Sequence, residues 1–138
     1  MDTKVNLKCT ISQRIVVVWD CFTQSKHIKN WNFAATSWHC PEAESDLVEG
    51  GDFCYTMAAK DNSVQFDFKG KFTEIIPKDK IAYQLEDKRR VEIYFTSDDQ
   101  NTNVQQLIDV ELSHSIAQQK EGWNAILQNF QLYCEQTQ

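Results

Sequence analysis

The chain begins with a regular alternation of hydrophobic and polar residues. Val5, Leu7, Cys9 and Ile11 alternate with Lys4, Asn6, Lys8 and Thr10. Side chains at every second position lie on the same face of a strand, so the alternation predicts a β-strand with one buried face. A sheet built from such strands needs another element to cover its apolar side.

The segment after this strand carries signals for both helix and strand. Ser12 is a favourable helix N-cap residue. In the following QRIVVVWDCF segment, one helical face would carry Ile15, Val18, Trp19 and Phe22. The β-branched run 16–18 favours a strand instead. We prefer a helix that begins after Ser12, because the cap and the spacing support the same element.

The region 23–51 has weak periodicity. We predict a short helix over residues 25–29, followed by an irregular segment and a polar connection after Pro41. Three aromatic residues stand out in the irregular segment: Trp31, Phe33 and Trp38. The pair Gly50 and Gly51 at the end of the region is typical of a tight turn or a bulge.

Five segments with strand-like alternation follow one another, and they predict a meander of antiparallel strands. They cover residues 53–57, 64–76, 81–85, 91–95 and about 102–112. Pro77 and the polar turn behind it end the second of these segments. Ser115 and Gln118 then have the spacing of a capping box, which predicts a last helix to about residue 135.

The last helix carries a stripe of large apolar residues. Its members are Trp123, Ile126, Leu127, Phe130, Tyr133 and Cys134. We expect this stripe to lie against the concave side of a curved antiparallel sheet, because the helix stripe and the apolar face of the sheet both need an apolar partner. Gly122 weakens the helix by about 1 kcal/mol relative to Ala. We therefore expect it to allow a close backbone approach or to leave space beside the Trp123 indole.

Composition and charge narrow the class of protein. The 138 residues are 41% hydrophobic and 25% charged, which is typical of one soluble globular domain over residues 1–138. The net charge is −6 and basic residues are scattered apart from residues 88–90, so we expect no nucleic-acid partner. No stretch approaches the length of about 18 apolar residues typical of a membrane span, so we expect no membrane insertion.

Cysteine usage and the N-terminal segment favour a cytoplasmic protein. The segment MDTKVNLKCT lacks the apolar centre of a signal peptide. The five cysteines are odd in number and widely spaced: Cys9, Cys21, Cys40, Cys54 and Cys134. We expect them to be reduced and at least half-buried, as in cytosolic proteins.

Several segments together resemble a known superfamily. They are WNFAATSW, DLVEGGDFCYTM, DFKGKFTEIIPKDKIAYQLEDKRRV, VQQLIDVEL and QQKEGWNAILQNFQLYCE. They are similar to the START-like or SRPBCC superfamily, and more narrowly to its branch related to the C-terminal domain of the Hsp90 ATPase activator. The resemblance covers nearly the entire chain.

The resemblance implies an α+β helix-grip fold. In this fold a curved antiparallel sheet of six to seven strands wraps around a long C-terminal helix, and two short helices follow the first strand. The space between helix and sheet is often an apolar cavity for a lipid-like or polyketide-like molecule. One hairpin departs from the family, because Asp87-Lys88-Arg89 stands where relatives often have Asp-Gly-Arg. Lysine tolerates positive φ poorly, so we expect a different turn type there.

The aromatic residues are the main candidates for a binding site. We predict that one cavity is lined by Trp31, Trp38, Tyr55, Phe66, Phe68, Tyr83, Trp123 and Leu127. Aromatic walls with a few polar donors hold and orient small apolar ligands. The alternative is that these side chains only fill the core.

Catalytic and metal-binding patterns are weak by comparison. His27, His39 and His114 have no metal-ligand spacing, so we predict no metal site, no cofactor and no catalytic residue. A site formed by His39, Cys40 and Cys54 is the weak metal alternative. The candidate carboxylates are Asp67, Glu92, Asp109 and Glu111. Alternation directs the first two to solvent.

The preferred function is therefore the binding of a small hydrophobic or aromatic molecule by a protein that is not an enzyme. Two alternatives stay open. One is a co-chaperone-like module that contacts the Hsp90 chaperone, which only the family resemblance suggests. The other is a polyketide cyclase or hydrolase that uses the same cavity. A monomer and a homodimer paired through an open sheet edge are both compatible with the pattern.

Overall fold

Seven antiparallel strands and three helices make up residues 4–137, the part of the chain that the computed structural model describes. The first three residues of the N-terminal segment discussed above lie outside this part. In chain order the elements are β1 (Lys4–Ile11), α1 (Ile15–Thr23), α2 (Ser25–Ile28), β2 (Trp38–Ser45), β3 (Asp52–Ala59), β4 (Gln65–Ile76), β5 (Lys80–Leu85), β6 (Arg90–Ser97), β7 (Thr102–Asp109) and α3 (Ile116–Gln136).

The strands form one curled sheet in the order β1-β7-β6-β5-β4-β3-β2. The first strand pairs with the last, and all other neighbours are consecutive in sequence. Register places Leu7, Gln106, Ile93 and Ile81 side by side on the inner face. The predicted α+β helix-grip architecture, with two short helices after the first strand, is confirmed.

The long helix α3 fills the concave side of the sheet. Its start is the predicted capping box, in which the Gln118 N–H donates to Ser115 Oγ over 3.1 Å. Leu127, Phe130 and Cys134 are fully or almost fully buried in its second half. Burial of one such side chain contributes roughly 2 kcal/mol, so the second half of α3 anchors the helix to the sheet.

The segment between β1 and α1 fixes the end of α3. The Gln13 side-chain amide donates to the carbonyls of Cys134 at 3.0 Å and Thr137 at 2.6 Å. The Ser12 N–H donates to a Glu135 carboxylate oxygen at 2.9 Å. Carbonyls at a helix C-terminus lack partners within the helix, so the two Gln13 bonds complete its last turn.

The prediction that Ser12 caps α1 is wrong. Arg14 occupies the N-cap position without a side-chain cap bond, and the backbone of Ser12 instead binds α3. The β-branched run 16–18 is nevertheless helical, as preferred. Val18 and Trp19 are buried there, so tertiary packing outweighs the β-propensity of the run.

The prediction of an irregular segment and a polar connection at residues 38–45 is also wrong. This stretch is β2, the edge strand, which pairs only with β3. A register shift between His39 and Glu42 accommodates Pro41. Proline is tolerated in sheets at edges and bulges, and the exposed side chains of an edge strand hide the alternation that would mark it.

The expectation of another turn type at residues 87–89 does not hold either. Lys88 adopts a φ of 78°, in the left-handed region that glycine prefers. The Asp87 carboxylate accepts from the Arg89 backbone N–H at 3.1 Å and from its Nε at 2.7 Å. These bonds hold the turn and compensate for the unfavourable lysine conformation.

Candidate functional site

A cavity of about 620 Å³, partly open to solvent, lies between the inner face of the sheet and the first half of α3. The cavity exists because the buried side chains of α3 begin only at Leu127. The helical turns before Leu127 therefore leave the space between helix and sheet unfilled. The cavity walls are mostly apolar and aromatic.

Seven of the eight predicted site residues line this cavity: Trp31, Trp38, Tyr55, Phe66, Phe68, Tyr83 and Trp123. Leu127 does not line it and is packed in the core, with 2% of its surface exposed. The aromatic wall is therefore assembled from four strands, a loop and a helix. Contact between these rings and a ligand stays a prediction.

Phe68 is the centre of the aromatic wall. Its ring centroid is 5.8 Å from that of Phe53, 6.2 Å from that of Tyr83 and 5.7 Å from that of Trp123. The contacts with Tyr83 and Trp123 are edge to face, a favourable geometry for aromatic pairs. The rings thus brace one another and keep the wall in place without a ligand.

Trp31 and Trp38, the two tryptophans predicted in the irregular segment, have different roles. Trp31 is 5% exposed and its Nε1 donates to the Cys21 carbonyl at 2.9 Å, so it is part of the core as well as the wall. Trp38 is half-buried at the start of β2, beside Phe66 at 5.8 Å between ring centroids. Phe66 is 48% exposed and forms the open side of the wall together with Trp38.

Polar groups inside the cavity are few. Burial raises the pKa of Tyr55 and of Tyr83, so both phenols stay protonated and are hydrogen-bond donors at neutral pH. Gln106 also lines the cavity from the middle of β7 and is 7% exposed. Asn32 lines it from the loop after α2, and its buried Nδ2 has no partner among the described residues.

Neither amide was predicted from the sequence. Gln106 had a detectable signal, because it stands between Val104 and Ile108 at the inward-facing positions of β7. A glutamine there interrupts an apolar row. Asn32 had no such signal, since it lies in a loop without periodicity.

Charged residues lie at the rim of the cavity and are paired within their own loops. Asp87 is bound to Arg89 in the β5–β6 turn. Glu111 accepts from the Ser113 N–H at 2.7 Å and from His114 Nδ1 at 2.8 Å in the β7–α3 loop. The Ser113 hydrogen bond, with those from His114, lowers the pKa of Glu111 to about 2.

Gly122 lines the cavity from α3. A Cβ added at this position would meet no atom within 4 Å. The expected close backbone approach is therefore wrong, and the alternative expectation, that Gly122 leaves space beside Trp123, agrees with the structure. A larger residue here would project into the cavity.

Comparison with known proteins identifies the family. The family model described as Activator of Hsp90 ATPase homolog 1-like protein matches residues 14–135. The chain belongs to this family. No curated protein sequence matches it.

Solved structures share the fold of this chain. The solution structure of the AHSA1-like protein from Aeromonas hydrophila is 41% identical, with a TM-score of 0.92 over 96% of this chain and 92% of that chain. A Cytophaga hutchinsonii protein is 39% identical, with a TM-score of 0.82 over 96% and 92%. A Chromobacterium violaceum protein at 16% identity and a TM-score of 0.86, over 98% and 99%, shows the fold alone.

The other candidate residues of this AHSA1-like chain lie apart from the cavity. Asp67 is exposed, Glu92 is half-buried beside Lys80 on the outer face, and Asp109 binds Lys4. Within residues 4–137, no three His, Cys, Asp or Glu side chains are placed to hold a metal ion together. All five cysteines are free thiols. No helix in the same range is long and apolar enough to cross a membrane.

Proposed function

We propose that this AHSA1-like protein binds a small apolar molecule with an aromatic or fused-ring skeleton in the cavity between the sheet and α3. The observation that carries the proposal is a volume of about 620 Å³ walled by aromatic rings. Ligand sites of roughly 300–1,000 Å³ with mostly apolar linings are typical of proteins that enclose small molecules.

The shape of the wall favours rings over a flexible chain. Phe68, Tyr83 and Trp123 meet at steep angles, so they present both faces and edges to the interior. A planar ligand can stack on one of them and meet another edge-on, which contributes about 1 kcal/mol per contact beyond burial. Trp38 and Phe66 at the rim would lose exposed apolar surface when the ligand is bound.

A titration with 2-ethylnaphthalene tests the proposal. We expect the melting temperature of the protein to rise with probe concentration, because the probe binds only the folded state. The variant Gly122→Leu should lose this rise, since its side chain would occupy the cavity without a clash at Cβ. Lys120→Leu places the same side chain at an exposed position of α3 and should respond like the wild type.

Two results would contradict the proposal. One is a wild-type melting temperature that does not change across the titration. The other is an equal rise in wild type and Gly122→Leu, because binding would then occur outside the cavity.

The family match supports a second candidate function. The family is named after an activator of the Hsp90 ATPase, and the match covers residues 14–135. The chain would then stimulate ATP hydrolysis by a purified Hsp90-type chaperone. An unchanged ATPase rate at saturating protein would exclude this candidate. A cyclase or hydrolase has less support, because Asp87 and Glu111 at the cavity rim are bound to residues of their own loops.

A further inference from the structure

Gln106 is a polar residue in an apolar setting. On the inner face of the sheet its neighbours are Leu7 on β1 and Ile93 on β6. It is 7% exposed, and it lines the cavity. Among the side-chain hydrogen bonds of residues 4–137, none involves its amide. The amide is not fully enclosed by protein atoms, so its donor and acceptor are open to a molecule in the cavity.

A second amide without a hydrogen-bond partner comes from another part of the fold. Asn32 is 6% exposed and lines the same cavity, and its Nδ2 is buried without a hydrogen-bond partner in the described part of the chain. The other inner polar residue of β7, Thr102, differs, because its hydroxyl donates to the Gln13 carbonyl at 2.8 Å. The cavity amides of Gln118 and Gln119 are also paired, within the loop before α3 and its first turn.

We propose that the ligand carries a hydrogen-bonding oxygen, a carbonyl or a hydroxyl, that the side-chain amide of Gln106 binds. This inference rests on the proposed function and narrows its ligand class from apolar molecules to oxygenated ring compounds. A primary amide both donates and accepts, so it can pair with either oxygen type. The phenols of Tyr55 and Tyr83 line the same cavity and offer further donors to an oxygenated ligand.

Two probes that differ in one functional group test the inference. 2-Acetylnaphthalene and 2-ethylnaphthalene share a carbon skeleton, and only the first has a carbonyl. Calorimetric titration gives the dissociation constant of each probe. The measured quantity is the ratio of the ketone constant to the hydrocarbon constant. Comparing this ratio between variants cancels the difference in hydrophobicity between the probes.

Gln106→Met removes the amide at nearly constant size. We expect it to raise the ratio roughly tenfold, because the ketone loses a hydrogen bond that the hydrocarbon never made. Gln105→Met is the matched control. Gln105 is the next residue, faces outward and donates to Asn6 Oδ1 at 3.1 Å. Its substitution should leave the ratio unchanged.

The outcomes separate this inference from the proposed function. If both probes bind and Gln106→Met does not change the ratio, the inference is overturned and the proposed function stands. An ordered water that satisfies the amide in all states would give this result. If neither probe binds the wild type, the proposed function fails and the inference fails with it.

A measurement on the wild type avoids any dependence on the folding of a variant. In the same bound position, the naphthalene rings of the two probes exert the same ring-current effect on the side-chain NH₂ resonances of Gln106. A hydrogen bond to the carbonyl adds a downfield proton shift that only 2-acetylnaphthalene produces. Equal shifts with both probes would overturn the inference.

Discussion

The indole of Trp123 on α3 meets the ring of Phe68 on β4 edge to face, with the ring centroids 5.7 Å apart. This pair joins the helix to the sheet across the cavity, and both residues line it. The contact therefore contributes to the stability of the fold and to the shape of the site.

A double-mutant cycle measures the energy of this pair. We expect Trp123→Leu and Phe68→Leu to be coupled by about 1 kcal/mol in the free energy of unfolding, the value typical of edge-to-face aromatic pairs. Urea denaturation of the wild type, both single variants and the double variant provides the four values. Trp123→Leu combined with Tyr94→Leu, on the outer face of the sheet, should show additive effects. Additivity of the first pair would contradict the role assigned to it.

Two glycine-to-alanine variants should have opposite effects on stability. A Cβ at Gly70 would lie 2.5 Å from the Gln84 carbonyl oxygen and 3.1 Å from the Phe53 ring, and the backbone oxygen cannot move away. We expect Gly70→Ala to lower the free energy of unfolding by about 2 kcal/mol. Gly122→Ala meets no atom and should raise it by up to about 1 kcal/mol, because alanine favours helix. Equal effects of the two substitutions on the free energy of unfolding would show that the space around each Cβ does not determine the change in stability.

Replacement of Lys88 by glycine should stabilise the protein. Its φ of 78° is unfavourable for a residue with a Cβ. We expect Lys88→Gly to raise the free energy of unfolding by about 1 kcal/mol, measured by urea denaturation. Lys78, with a φ of 67°, offers an independent repeat in the turn between β4 and β5. A loss of stability in Lys88→Gly would mean that the lysine side chain contributes more than its backbone conformation costs.

Protonation of Glu111 at low pH should lower the free energy of unfolding, because Glu111 holds the loop between β7 and α3. The pKa of this carboxyl is about 2 in the folded protein, below its ordinary value of 4.5. A lowered folded-state pKa stabilises the fold fully above the unfolded-state pKa, and this contribution is lost as the pH falls through the folded-state pKa. The stability difference between wild type and Glu111→Gln should therefore be present at neutral pH and decline between about pH 4.5 and pH 2.

Denaturation midpoints measured across that pH range test this expectation. Glu121→Gln, at an exposed position of α3, controls for the removal of one negative charge. A difference between wild type and Glu111→Gln that persists unchanged at the acid end would contradict the assignment.

Most of the fold could be predicted because periodicity reports which face of an element is buried. The one-faced strands 53–57, 81–85 and 91–95 and the capping box at Ser115 are present in the structure. β2 could not be predicted, since an edge strand has one neighbour and Pro41 breaks its pattern. The start of α1 was misplaced because a residue type that favours capping is equally able to bind another element with its backbone, as Ser12 does.

The site was predictable only to the extent that side chains follow strand alternation. Phe66, Phe68 and Tyr83 reach the cavity because they occupy inward positions. Leu127 belongs to the same helical stripe as Trp123, yet it lies one turn closer to the packed end of α3, where the core replaces the cavity. Sequence spacing indicates the inner side of a helix but not how far along it the interior is filled.

The bonds from Gln13 to the last turn of α3 make the two ends of this helix unequal. Amide protons near Phe130 are expected to exchange with solvent only when the whole fold opens, whereas those near Gln118 are expected to exchange through a local opening. The first half of the helix lies above the cavity and is held by weaker contacts, chiefly that of Trp123 with Phe68. Local opening of this half would admit a ligand while the buried half stays in place.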